Sequence, residues 1–179
     1  MSEAQPLIQV FTFKDGLLAR LAHDLRLSLA GFEIDVTGDT VQARMWPESL
    51  QVDGVMRNGQ LRADELSVND RAKIQANIRQ DVLSTRKYPE IRVLAKVQAA
   101  GSGWKMDGQL ELCGRQQPLS LVLQVHGNRL VGQCEIRPSR WGIKPYKALA
   151  GAIKLQDRVR IEVSLPNFEG EQHWRVGLD

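Results

Sequence analysis

Residues 91–97, Ile-Arg-Val-Leu-Ala-Lys-Val, alternate apolar and polar side chains almost without a break, and residues 104–112, Trp-Lys-Met-Asp-Gly-Gln-Leu-Glu-Leu, do so again after a Gly101-Ser102-Gly103 turn. Successive side chains of a strand point to opposite faces, so a period of two marks a half-buried β-strand. Ile91, Val93, Ala95 and Val97 share one face; Trp104, Met106, Leu110 and Leu112 share one face of the next strand. The pattern runs on through Leu119, Leu121, Leu123 and Val125, then past Gly127-Asn128 into Leu130, Gly132, Cys134 and Ile136. Short turns between such segments predict an antiparallel meander with one wet face and one buried face.

The same rhythm extends in both directions. Val159, Ile161, Val163 and Leu165 close the series, and Leu7 to Phe13 opens the chain with a first strand. Leu25, Leu27 and Leu29 share a face, but after Gly31 the apolar set moves to Phe32, Ile34 and Val36. That flip of parity predicts a bulge or bend at Gly31. Thr37-Gly38-Asp39 turns the chain into Val41, Ala43 and Met45. The stretch Ser49 to Met56 alternates less cleanly, and Asn58-Gly59 is a hairpin signal after it.

Two segments break the rhythm. Asp70 to Thr85 places Ile74, Ile78 and Val82 at i, i+4 and i+8, with Asn69 or Asp70 as cap and Pro89 beyond the end, which predicts an amphipathic helix. Pro145 to Leu155 reads as a shorter C-terminal helix with proline in its first turn. No internal repeat or linker interrupts residues 1–179, which read as one domain. Eight to ten antiparallel strands with two accessory helices suggest a closed barrel, which removes exposed edges; a sandwich fits the alternation almost as well. An eight-stranded barrel either fills with side chains or holds one small ligand.

Composition narrows the function. The 179 residues are 42% hydrophobic and 25% charged, with a net charge of +3, and the charges interleave, so the balance does not point to nucleic acid. No run approaches the length of a membrane-spanning helix, and no secretory signal precedes the first strand, so a cytoplasmic protein is expected. Cys113 and Cys134 have no CxxC spacing; Cys134 faces inward and Cys113 outward, on strands that are not neighbours, so no disulfide is expected. His23, His126 and His173 share no ligand spacing, and no metal site is expected. Phosphate-binding glycine loops and a GxSxG nucleophile context are absent.

What remains is the inward stripe. Phe32 and Ile34, Val93, then Trp104, Met106 and Leu110 are its first members. Leu121, Leu123, Leu130, Cys134, Ile136, Trp141, Ile161 and Val163 complete it. These side chains are either a filled core or the lining of an apolar cavity, with Ala95, Gly108 and Gly132 leaving room. His23, Arg140, Lys144 and Tyr146 are candidate polar contacts for a ligand head group at the mouth. In His23-Asp24, adjacent residues point to opposite faces, so Asp24 is read as satisfying backbone donors near a bend. Two other readings stay open. One is an enzyme using His23 as acid or base. The other is a filled barrel acting as an interaction module or homodimer through outward Phe11, Phe13, Trp46 and Leu94.

Four segments, Gly16 to Leu25, Asp70 to Ile91, Asp107 to Leu121 and Trp141 to Leu155, together resemble the YceI-like family in kind and order. The helix leading into Lys87-Tyr88-Pro89-Glu90-Ile91 is the most specific of them. The resemblance implies a mainly β fold: a lipocalin-like antiparallel barrel of eight strands or more, with the Asp70–Thr85 helix packed against it. It also implies a non-enzymatic bacterial carrier that holds a long amphiphile, a polyisoprenoid, an isoprenoid quinone or a similar lipid, with no other cofactor. Many relatives are periplasmic, whereas a cytoplasmic protein is the expectation here.

Overall fold

The alternating segments pair into one antiparallel sheet in the computed structural model, which describes residues 5–15 and 23–178. The first half supplies β1 (Leu7–Lys14), β2 (Leu25–Leu29), β3 (Phe32–Thr37), β4 (Thr40–Met45), β5 (Leu50–Arg57) and β6 (Gln60–Arg62). After a helix come β7 (Ile91–Ala100), β8 (Gly103–Leu112), β9 (Arg115–His126), β10 (Arg129–Ile136), β11 (Lys147–Ala148), β12 (Ile153–Pro166) and β13 (Gln172–Val176). Hydrogen-bonded neighbours run β13-β3-β4-β7-β8-β9-β10-β12-β1-β2-β5-β6, with β11 attached to β12. The sheet thus has thirteen strands, more than the eight to ten read from the alternation, and is not closed, which corrects the expectation of a closed barrel of eight strands or more.

The additional strands arise at a corner. Only Ala30-Gly31 separates β2 from β3, and only residues 46–49 separate β4 from β5, yet β2 pairs with β1 and β5 while β3 pairs with β13 and β4. At the corner the Ala30 N–H donates to the Ser49 carbonyl (3.2 Å) and the Trp46 N–H to the Gly31 carbonyl (3.1 Å). The Ser49 hydroxyl accepts from the Gly31 N–H at 2.8 Å and donates to the Trp46 carbonyl at 2.6 Å. The parity flip at Gly31 is this bend: Leu25, Leu27 and Leu29 are buried before it, Phe32, Ile34 and Val36 after it. A Cβ on Gly31 would meet the Ser49 side chain at 3.2 Å, so the missing side chain lets the two ribbons close up there.

The irregular stretch after Ser49 has an equally local cause. Arg26 pairs with Gly54 but Leu27 with Val52, leaving Asp53 as the extra residue of a bulge. The bulge lets Val52 and Val55, of opposite parity, both be buried. Asp53 accepts hydrogen bonds from Arg26 Nε (2.7 Å) and the Ser28 hydroxyl (2.6 Å).

The helix α1 (Val68–Asn77) continues through a π turn at Ile78–Val82. Its cap is Ser67, whose side chain accepts from the Asp70 N–H at 3.0 Å, two residues before Asn69 and three before Asp70, the two expected caps. The helix lies where β5 has no strand beside it: Arg71 donates to the Val52 and Asp53 carbonyls (3.1 and 2.7 Å) and Gln75 accepts from the Val52 N–H (3.0 Å). Side chains thereby satisfy backbone groups that a neighbouring strand would otherwise satisfy. At its far end Thr85 donates to Glu48 at 2.6 Å, tying the helix exit to the corner.

The second expected helix does not form. Pro145 to Leu155 instead contains β11, a 3-10 turn at Leu149–Gly151, and the start of β12, with Lys147 paired to Lys154 and Ala148 to Ile153. Alanine and leucine give this stretch its helical propensity. Three successive positive φ values, Leu149 (50°), Ala150 (54°) and Gly151 (90°), reverse the chain into a hairpin instead.

Candidate functional site

Inside the curved sheet lies an apolar cavity of about 1050 Å³. Ligand sites usually span about 300–1,000 Å³, so this one lies just above that range. Its lining follows β12 from Ile153 to Leu165 and so runs along the strand rather than across it. The clean alternation explains the lining: Val163 faces Gly132 and Ile8, Ile161 faces Cys134 and Val10, and Val159 faces Ile136 and Thr12. Inward parity is thereby matched from strand to strand.

Among the residues singled out from the sequence, Ile34, Val93, Trp104, Met106, Leu110, Leu121 and Leu123 border the cavity, as do Leu130, Cys134, Ile136, Ile161 and Val163. Phe32 and Trp141 do not. Phe32 is fully buried beside the corner, paired with Met45 and Val176 on neighbouring strands. Trp141 ends a 3-10 turn at Pro138–Trp141, where strand parity no longer applies, and its indole N–H donates to the Leu110 carbonyl at 3.0 Å. The cavity also takes in residues outside that set: Ile8, Val10 and Thr12 of β1, and Ile74, Ile78 and Val82 from the helix. In β1 both parities are apolar, so the inward one is hidden. The i, i+4, i+8 spacing of the helical residues was the readable signal for them.

The small inward residues do not make the space. Ala95, Gly108 and Gly132 lie outside the lining. A Cβ on Gly108 would come within 2.2 Å of the Leu94 carbonyl oxygen, and one on Gly132 within 2.3 Å of the Val122 oxygen. These glycines let neighbouring strands approach closely, and the room comes instead from the way the sheet wraps.

The ends of the cavity differ. One is bordered by Gly38, Val97, Trp104 and the segment Phe168–Glu171. The other collects Thr12, His23, Lys73, Asn77, Lys144 and Tyr146, with Glu65 and Asp70 nearby in the lining. Of the candidate head-group contacts, His23, Lys144 and Tyr146 border the cavity. Arg140 does not: it sits on the outside in a depression with Pro118, Glu135 and Arg137, its guanidinium over the Trp141 ring at 6.0 Å. Asn77 donates to the Tyr146 hydroxyl at 2.8 Å. The Thr12 hydroxyl is buried in the lining and has no hydrogen-bond partner among the described residues.

Asp24 plays the local role expected of it, its carboxylate accepting from the Lys14 N–H at 2.8 Å. Among the described residues no group orients the His23 ring by a hydrogen bond, whereas acid–base histidines are usually so held. Burial pushes the Cys134 thiol up to about 11, and it raises that of Cys113 as well. Cys113 is half-buried, with its thiol 3.5 Å from the Leu83 carbonyl. Among the described residues no group of His, Cys, Asp or Glu is arranged to hold a metal ion, and no helix is long and apolar enough to cross a membrane. The outward aromatic residues do not form an open patch. Phe11 is buried under Arg160, whose guanidinium lies 4.4 Å from its ring centroid, and Arg158 covers Phe13 at 4.0 Å.

Comparison with known proteins bears on this cavity. A sequence model of the YceI-like domain matches residues 21–166. Residues 16–20 of the segments read as resembling that family, like the adjoining Leu21 and Ala22, lie outside the described residues. No curated protein sequence matches the chain. Among solved structures, Burkholderia cenocepacia BcnA superposes with a TM-score of 0.62 at 12% identity, over 89% of this chain and 94% of that one. A polyisoprenoid binding domain from Saccharophagus degradans, implicated in plant cell wall breakdown, gives 0.57 at 11% identity, over 96% and 94%. The Campylobacter jejuni YceI protein gives 0.51 at 13% identity, over 80% and 85%. At these identities the likeness is one of fold.

Proposed function

The chain belongs to the YceI-like family, and on that premise we propose that it is a non-enzymatic carrier whose cavity holds the tail of a long-chain amphiphile: a polyisoprenoid, an isoprenoid quinone or a similar lipid. The observation that carries the reading is the cavity itself, about 1050 Å³ bounded along its length by aliphatic side chains from β1, β8, β9, β10, β12 and the helix. Apolar space of this kind stays dry and accepts apolar guests, gaining roughly 25 cal/mol for each Å² of apolar surface taken from water.

The head group belongs at the end with Thr12, His23, Lys144 and Tyr146. A buried hydroxyl without a partner costs about 1–3 kcal/mol, and a carbonyl, hydroxyl or phosphate oxygen placed beside Thr12 relieves that cost. The polyisoprenoid binding named for the Saccharophagus degradans domain is in line with this reading. Native mass spectrometry of the purified protein, followed by organic extraction, tests it. The expected result is a discrete adduct whose fragments repeat at the isoprene unit. A bare mass, combined with failure to take up added isoprenoids, overturns it.

A further inference from the structure

The hairpin beside the polar end of the cavity is built in a way the fold alone does not explain. Lys147 of β11 stands directly opposite Lys154 of β12, and like charges facing each other across two strands are unfavourable. Lys154 is relieved by Asp15 at 2.9 Å, but Lys144 and Lys147 make no ion pair among the described residues. From Ile136 to Gln156 the sequence has Arg137, Arg140, Lys144, Lys147 and Lys154 and no acidic residue. At the tip, Leu149 is 68% exposed and held at a φ of 50°, a conformation that a leucine adopts at a cost, between Ala148 and Ala150. Ile143, Lys144, Pro145, Tyr146, Ile153 and Leu155, on either side of that tip, all border the cavity.

An exposed leucine framed by unpaired lysines at the entrance of an apolar cavity is complementary to one kind of surface, an anionic lipid bilayer. We propose that the hairpin from Lys144 to Lys154 docks the polar end of the cavity on an anionic membrane, with Leu149 entering the boundary between head groups and acyl chains and Lys144 and Lys147 facing lipid phosphates. Docked in this way, the cavity meets the membrane at its polar end, and an amphiphile passes between the two without its tail crossing water. The inference rests on the carrier reading above.

Flotation of the full chain with vesicles tests the docking, and uptake of the apolar dye diphenylhexatriene, measured without vesicles, tests the cavity separately. The wild-type protein is expected to float with vesicles of equal parts phosphatidylcholine and phosphatidylglycerol, to be released by salt, and not to float with phosphatidylcholine alone. K147A is expected to bind those vesicles about fivefold more weakly, the effect of one lysine at an anionic surface, and L149E at least as much more weakly. Both variants, changed only at exposed positions, should take up the dye like wild type. Dye uptake without flotation overturns the docking and leaves the carrier reading standing. Equal flotation of wild type and both variants also overturns it, as does a mass that rises with protein concentration in wild type but not in L149E, which would assign the tip to a second copy of the chain. Loss of dye uptake in wild type strikes the carrier reading itself.

Discussion

The side-chain amide of Asn77 donates a hydrogen bond to the hydroxyl of Tyr146 at 2.8 Å, joining α1 to the irregular segment just before β11 across the polar end of the cavity. Both residues border the cavity, so an amphiphile that enters or leaves at this end has to pass them. A single hydrogen bond contributes about 0.5–1.5 kcal/mol net. Y146F keeps the ring and removes only the bond. It is expected to speed release of bound lipid several-fold in a stopped-flow displacement assay while shifting the unfolding temperature little. Unchanged release with wild-type stability would show that this contact does not gate the cavity.

Val163 and Ile161 sit in the middle of the lining, with β1 on one side and β10 on the other. A tryptophan at either position has free volume to enter, in contrast to a packed core, where overpacking costs about 1–3 kcal/mol. V163W should therefore fold with close to wild-type stability and lose most of its capacity for apolar dye. Full uptake by a folded V163W protein would place the ligand elsewhere.

How much of this was readable beforehand follows from which interactions are local. The strands from Ile91 to Ile136 were legible because each is long, cleanly alternating and joined to the next by a short turn. The bend at Gly31 was legible from parity alone. What stayed hidden depends on contacts far apart in sequence: the change of partners at the corner, the burial of Phe32 beside Met45 and Val176, and the anchoring of Trp141 on Leu110. The stretch Lys147 to Ala152 carries helical propensity, but pairing with β12 overrides it. The role of Arg140 was misplaced for a related reason. Its neighbours Lys144 and Tyr146 turn toward the cavity, while the 3-10 turn holding Arg140 turns it outward.

Cys134 provides a probe of the interior. Its thiol is raised from 9.0 to about 11 by burial among the lining residues, so the folded state holds that proton more tightly than the unfolded chain does. Its contribution to stability is complete below pH 9 and is lost as pH rises from there toward about 11. C134A should flatten the fall in stability over that range, measured by denaturant unfolding at a series of pH values. Iodoacetamide should label Cys134 slowly at neutral pH, and more slowly still when a ligand fills the cavity. Rapid labelling that is indifferent to ligand would contradict its place in the lining.

The tight approach of β7 and β8 gives the sharpest stability test. Gly108 pairs with Ala95, and a Cβ there would meet the Leu94 carbonyl oxygen at 2.2 Å and the Ala95 Cα at 2.5 Å, both backbone atoms that cannot swing aside. G108A therefore forces the two strands apart, at a cost expected to exceed about 2 kcal/mol. In a chain of this size that lowers the unfolding temperature by about 4–8 °C. G38A is the matched control. Gly38 has a positive φ of 58° but nothing within 4 Å of an added Cβ, so it carries only the backbone strain, on the order of 1 kcal/mol. Differential scanning calorimetry should rank G108A well below G38A. The reverse order would mean that the two strands have slack where the packing leaves none.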